Sequence, residues 1–540
     1  MRARRAISAW ILLGLMAGCG GAPRPPATDA AQVPVRSAQD ITKSSGAIGA
    51  PRWVDAAGRP NRDARDAMAL LADAVVEGLD PRDYDAARLQ ALAVALDAAR
   101  EPPATDVTTF DASLSVNTLS YFRHVHAGRI DPRAIGFEMN APPDDDDFAA
   151  ILGAALAGHR IREAAAALPP PLALYRDLRG VLARYRSLAA DPSIEPLPPP
   201  GATVHPGESY AGVAALHRLL VRVGDLPADS PPPVTSSAYG GALIDGVKHF
   251  QIRHGLRDDG VMGQETQAAL GVPLSRRVRQ IELALERLRW LPHLGLARLL
   301  VVNIPTFQLW GWDAMPADGA PTLGMKVIVG RALNTRTPVF VEEMPYIIFR
   351  PYWNVPPSIA RQEIVPALQR DPEYLTRQDM EIVSGQGDDA RVVALSGESL
   401  ALVRQGALRV RQRPGPKNSL GLVKFVFPND DNVYLHGTPA LQLFGRSRRD
   451  FSHGCVRVED PVALAAWVLK DQPDWTQERI LEAMNANRPL RVDLQRPIQV
   501  ILFYVTALVM PEDGTMRFAE DIYRHDVRLD RALARRPLSR

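Results

Sequence analysis

Cysteine is almost missing from this 540-residue chain, which holds only Cys19 and Cys455. Two such residues give no disulfide framework and no four-cysteine zinc site. Aromatic residues are sparse at 6%, and neither sign of charge dominates, the formal net being +2. A dedicated nucleic-acid binder would carry a marked basic surplus, so no nucleic-acid partner is expected. Neither His-Glu-x-x-His nor similar compact ligand spacing occurs, which argues against a metallopeptidase, and no cofactor or metal is called for. Long apolar runs are lacking as well. The stretches 9–17 and 498–510 are both too short for a membrane-spanning helix, which needs about 20 residues. An apolar content of 46% beside 23% charged residues fits soluble globular domains, two to four at this length.

What the chain does have is a concentrated motif. Val433-Tyr434-Leu435 reads as a strand running into His436; after fifteen intervening residues comes Ser452-His453-Gly454-Cys455, followed by Val456-Arg457-Val458. A thiol reacts only as thiolate, and a free one has a pKa of about 8.5. An imidazole that takes its proton completes the minimum equipment for covalent acyl transfer. Gly454 leaves room for a carbonyl to approach and backbone N–H groups of Gly454 and Cys455 to face an oxyanion. The plain alternative is a buried structural thiol, the usual state of a lone cysteine. Ser-His-Gly-Cys is polar and poorly suited to a core strand, which favours the nucleophile.

A histidine, about fifteen residues and then Ser/Thr-His-Gly-Cys resembles the signature of the YkuD-type L,D-transpeptidases. Arg457 stands where other members of that family carry asparagine. The resemblance implies a thioester formed at Cys455 with release of D-alanine from a tetrapeptide stem, then attack by an amine of a second stem to give a 3→3 cross-link. It also implies that the backbone carbonyl of Gly437 orients His436. His453 is the rival base, better placed to line the anion site. Tyr434 shares a strand face with His436 by the two-residue period, and is a candidate substrate contact with Ser452 and Arg457. Tyr352, Trp353 and Asn354 are candidates too, either gripping the stem or fixing a lid to the sheet. Water in place of the amine would make the same nucleophile a carboxypeptidase or endopeptidase. A non-catalytic peptidoglycan-binding lipoprotein is the remaining alternative.

Before the motif, the chain divides by composition. Residues 1–19 have the anatomy of an export signal, with Arg2, Arg4 and Arg5 ahead of the apolar run. Leu15-Met16-Ala17-Gly18-Cys19 resembles a bacterial lipoprotein cleavage box, with Cys19 the lipidated residue; ordinary cleavage after small residues is the alternative. Residues 20–50 are a Pro-, Ala- and Gly-rich flexible tether. Helical periodicity fills 51–191, with helices expected at 67–77, 89–99, 114–126, 148–157 and 175–188. Its phrases Gly78-Leu-Asp-Pro-Arg-Asp-Tyr84 and Ala127-Gly-Arg-Ile-Asp-Pro132 resemble the scaffold of the large YcbB-type L,D-transpeptidases. His124 and His126, two apart, belong to different helix faces. After a proline-rich linker at 192–209, residues 210–274 resemble a three-helix peptidoglycan-binding module, with Phe250-Gln251 and Asp259-Gly260-Val261-Met262-Gly263. Gly260 and Gly263 are expected to supply left-handed turns.

A connecting helix is expected in 275–298, and strands dominate 299–510, with a helical capping insertion at about 356–407. A C-terminal segment, 511–540, completes the chain. The expected fold class is therefore α+β multidomain: helical scaffold, three-helix peptidoglycan-binding module, and mainly β catalytic domain with a helical cap. By resemblance, the partners are peptidoglycan stem peptides as donor and acceptor, a lipid anchor to a membrane and cell-wall synthesis enzymes. The location implied is the periplasm of a Gram-negative bacterium.

Overall fold

The structure is a computed structural model that describes residues 52–139, 147–199, 201–233, 237–291, 298–314, 319–332, 335–385 and 390–535. The export signal, the tether and Cys19 lie outside the described residues. Helices open the described chain. Asn61 caps the first, Arg62–Ala72, by accepting from the Ala64 N–H, and Trp53 is fully buried with its indole N–H 2.7 Å from Ser115 Oγ. Ala86–Ala98, Ala104–Ala127, Phe148–Ala157 and Ala173–Ala190 come next; the second begins ten residues before the helix expected at 114–126, and the others lie within three residues of their expected bounds. His124 and His126 do diverge: the first lies 3.0 Å from the Tyr84 hydroxyl, the second 3.2 Å from the Leu168 carbonyl.

The helix Leu274–Leu288 ties these helices to the C-terminal half of the chain. Glu286, 2% exposed, accepts from the Ile130 N–H at 3.0 Å and pairs with Arg289 at 3.0 Å. Gly128 must be glycine there, because at φ +78 a Cβ would stand 2.7 Å from the Trp290 indole nitrogen. The fully buried Arg287 pairs with Asp526 of the helix His525–Leu533, so the residues after 510 belong to the same core.

The small module has the three expected helices, Val213–Val223, Ala242–Arg253 and Gln264–Leu270. Gln251 explains the Phe-Gln pair: its buried amide accepts from the Gly260 N–H at 2.9 Å and donates to Val261 O at 3.0 Å, fixing the turn between helices. Gly260 sits at φ +71, as a left-handed turn requires. Gly263 does not; it is extended, at φ −76 and ψ −177, as the N-cap of Gln264–Leu270.

Among the described residues, fifteen strands form three sheets. In chain order they are β1 Leu299–Asn303, β2 Gln308–Trp312, β3 Leu323–Gly330, β4 Phe340–Phe349, β5 Trp353–Asn354, β6 Met380–Ser384, β7 Arg391–Val393 and β8 Arg409–Gln412. Then come β9 Val423–Val426, β10 Leu435–His436, β11 Asp450–Ser452, β12 Val456–Val458, β13 Leu490–Phe503, β14 Ala507–Val509 and β15 Met516–Phe518. The main sheet runs β11-β3-β12-β10-β9-β4-β13-β1-β2, and β2 also pairs with β3, so it closes on itself. A closed sheet leaves few unpaired edges and fills its interior with side chains. Leu309, Val327, Ile347, Phe425 and Leu435 are all fully buried within it.

Strand β4 runs unbroken from Phe340 to Phe349. Its register against β13 slips between Asp493 and Ile498, where Pro497 has no N–H to give and Pro345 lies on the facing strand. The apolar stretch 498–510 holds the end of β13 and all of β14.

Residues 354–411 are a compact unit of their own. They hold short helices at Pro357–Ile359, Val365–Arg370 and Tyr374–Arg377, and a longer one, Gly397–Gln405, opened by a reciprocal Ser396/Ser399 capping box. Strands β6 and β7 pair within it, so the insertion is mixed rather than purely helical.

Candidate active site

The register of three short strands builds the site. His436 on β10 stands opposite Lys424 on antiparallel β9 and opposite Arg457 on parallel β12. Their neighbours Leu435, Phe425 and Val456 are fully buried, so alternation puts the three polar residues on the other face. Tyr434, two residues before His436, has its ring 5.7 Å from the imidazole, and the Lys424 ammonium sits 3.6 Å from the Tyr434 ring centre. The Val456 N–H donates to Tyr434 O at 3.1 Å, which brings Cys455 alongside Tyr434. Tyr434 lies close enough to the sulfur for its phenol and backbone to favour the thiolate, and Sγ lies 3.8 Å from Asn432 O. Cys455, His436, Tyr434 and Arg457 are thus brought together.

His436 is 4% exposed, and its Nδ1 lies 2.5 Å from the Gly437 carbonyl oxygen. A carbonyl only accepts, so Nδ1 carries the hydrogen and Nε2 keeps its lone pair. Burial, reinforced by the repulsion of Arg457 and Lys424, pushes the imidazole pKa down to about 3, against the pull of the Gly437 and Leu420 carbonyls. Cys455 keeps some solvent-accessible surface, yet protein encloses most of its surroundings. Burial pushes its thiol up, although Tyr434, Lys424 and Arg457 favour the thiolate. Both groups are therefore neutral at rest. A neutral imidazole with a free lone pair is the form that accepts a proton as a nucleophile attacks.

The turn that carries the sulfur is locked internally. Ser452, 2% exposed, donates to Cys455 O at 2.5 Å and accepts from the Gly454 N–H at 3.2 Å. This bears on two expectations. Ser452, named as a candidate substrate contact, is buried and uses its hydroxyl proton inside its own turn, which it locks. The Gly454 N–H is spent too, which leaves the Cys455 N–H, without a partner among the described residues, as the backbone donor beside the sulfur. Gly454 stands at φ +116, where an L side chain is strained. Its carbonyl accepts from the buried Thr337 hydroxyl at 2.7 Å, which in turn accepts from the Gly330 N–H at 2.9 Å. The Tyr523 hydroxyl accepts from the Thr337 N–H at 3.2 Å and donates to Gly330 O.

His453 is half-buried in the same turn. Tyr352 and Trp353 are half-buried where the chain leaves the sheet for the insertion; Asn354, exposed, is the first residue of that separate unit. None of the three is among the groups that set the thiol's or the imidazole's charge state. Sequence reading missed Lys424, Thr337 and Tyr523. Alternation within 423–426 was the one available signal for Lys424; nothing local marked the other two.

Comparison with known proteins places these regions among described domains. Residues 297–480 match the L,D-transpeptidase catalytic domain of the YkuD family, 48–182 match a scaffold domain, and 209–270 match a domain described as "Putative peptidoglycan binding domain". A Haemophilus influenzae protein described as "Putative L,D-transpeptidase" is 32% identical over 266 residues, covering 48% of this chain and 51% of that protein. The chain thus spans about half the length of the curated relative it matches. In sequence and in order, residues 297–480 are thus similar to the YkuD-type L,D-transpeptidase catalytic domain, and the regions before them to a scaffold domain and a peptidoglycan-binding module.

Proposed function

We propose that this chain forms 3→3 peptidoglycan cross-links through a thioester on Cys455. The observation that carries the reading is a partly accessible thiol on the same sheet face as a neutral imidazole anchored through Nδ1 to Gly437. Nε2 of His436 takes the thiol proton as Sγ attacks the carbonyl of the third stem residue, a diaminopimelate. The oxyanion gathers at the Cys455 N–H, beside the charges of Lys424 and Arg457. The tetrahedral adduct collapses, the C–N bond to D-alanine breaks, and His436 returns its proton to the leaving amine. A side-chain amine of a second stem then attacks the thioester and releases the thiol. Lys424 and Arg457 meet the negative charge of both thiolate and oxyanion.

The leader ending at Cys19 supports a lipid-anchored, periplasmic placement. Incubating purified protein with tetrapeptide stems tests the reaction. Cross-linked dimer lost in Cys455→Ala supports transpeptidation; free tripeptide without dimer makes the protein a carboxypeptidase; unchanged muropeptides in both reject the enzyme reading.

A further inference from the structure

Between the peptidoglycan-binding module and the catalytic sheet lies a groove of about 820 Å³. One wall is the C-terminal end of the helix Ala242–Arg253 with the loop after it; the other is the loop 444–449 that leads into β11. The spacing of the walls is fixed by packing at their base. His254 stacks on Phe250 at 3.8 Å and lies 5.9 Å from Phe518 of β15, and Arg277 sits 4.8 Å over the same Phe518 ring. Arg253 donates to Met516 O at 3.2 Å.

The lining is markedly basic. Arg257, Arg277, Arg446, Arg449, Arg517 and Lys326 outnumber Asp258, Glu265 and Glu520. Arg277 and Arg449 are buried and form no ion pair among the described residues. Arg277 bonds Gln280 and the Ala269 carbonyl, while Arg449 bonds the carbonyls of Arg446 and Phe307. Desolvation pushes both down to about 10. Buried cations without a counter-carboxylate leave a positive potential in the adjoining water, and concave low-dielectric walls focus it. Arg257 on the module and Arg446 on the catalytic loop are exposed, one on each wall.

We propose that this groove binds the carboxylate-bearing stem peptides of a peptidoglycan strand, with Arg257 and Arg446 pairing stem carboxylates from opposite walls. The proposal rests on the function assigned above, and it makes the recognition surface a joint property of module and catalytic domain. A concave channel of this size suits a chain; a flat patch would suit a membrane.

The test uses the full chain carrying Arg257→Glu and Arg446→Glu, singly and together. Binding is measured to purified sacculi, to the same glycan stripped of stems, and to phosphatidylglycerol vesicles. The double variant is expected to lose about tenfold or more in sacculus affinity, with each single change intermediate and the loss shrinking at high salt. Stem-free glycan binding stays unchanged, and Arg257→Lys with Arg446→Lys retains binding. Unchanged sacculus binding, equal loss on stem-free glycan, or loss confined to vesicles overturns the proposal. Acylation of Cys455 by a soluble tetrapeptide is followed in parallel and should match wild type. A wild-type protein that fails to acylate defeats the functional reading, and the binding comparison still decides the groove.

Discussion

Lys424 and His436 face each other across β9 and β10, so this imidazole is held uncharged partly by a cation in its own row. Arg457 acts from the other side. The same two cations favour ionisation of Cys455 while burial opposes it. The row therefore separates two effects that a plain thiolate–imidazolium pair would merge: it keeps the imidazole neutral while favouring negative charge on the sulfur.

A neutral resting pair has a kinetic signature. Alkylation of Cys455 by iodoacetamide should rise with pH through the alkaline range, since its thiol titrates above the ordinary value. A plateau of full reactivity below pH 6 would reveal a resting ion pair and contradict the assignment.

Lys424→Met removes one stabilising charge. Thiol alkylation near pH 8 should slow by up to about tenfold, equivalent to one pKa unit, and Lys424→Arg should restore most of it. An unchanged rate would remove Lys424 from the site.

Thr337→Val takes away the donor to Gly454 O and strands the Gly330 N–H. The cost to stability should be about 1–3 kcal/mol. As a positioning residue, Thr337 should affect kcat with little change in KM, with Thr337→Ser recovering it. A loss of stability with normal kcat would make the residue merely structural.

Stability should fall in acid. His436 has a folded pKa of about 3, below the unfolded value of about 6.5. Between those values the unfolded chain binds the extra proton, so stability is full above about pH 6.5 and is lost as pH drops toward 3. His254 and His525, also pushed well below the usual range by burial, add to the same slope. Denaturant midpoints at pH 7 and pH 4 measure it, and His436→Gln should flatten the dependence. A midpoint that rises in acid would contradict the buried, neutral assignment.

The interdomain joint is open to the same kind of measurement. Glu286→Ala leaves buried Arg289 and two backbone N–H groups without their acceptor, at a cost of about 3–5 kcal/mol. A thermal shift within error of wild type would show the network to be dispensable.

Much of this was legible in the sequence because it is local. The motif spacing marked Cys455 and His436, the two-residue period put Tyr434 beside His436, and the Phe-Gln and Asp-Gly-Val phrases marked the module. The features that escaped are set by contacts between distant segments or by bonds inside one turn. Ser452 carries the same hydroxyl whether it meets substrate or locks a turn, and only coordinates show it bonded to Cys455 O. Thr337 and Tyr523 reach the motif from far along the chain, the latter from a segment whose sequence declared no role. Glycine alone did not settle conformation either, since Gly260 turns left-handed and Gly263 stays extended.

The decisive measurement is peptide-mapped mass spectrometry of the protein trapped during turnover of a tetrapeptide stem. A tripeptidyl adduct on Cys455, formed as D-alanine is released and reduced by orders of magnitude in His436→Ala, is the predicted result. Release of D-alanine by a protein whose sulfur stays unmodified, or by Cys455→Ala at the wild-type rate, would contradict it.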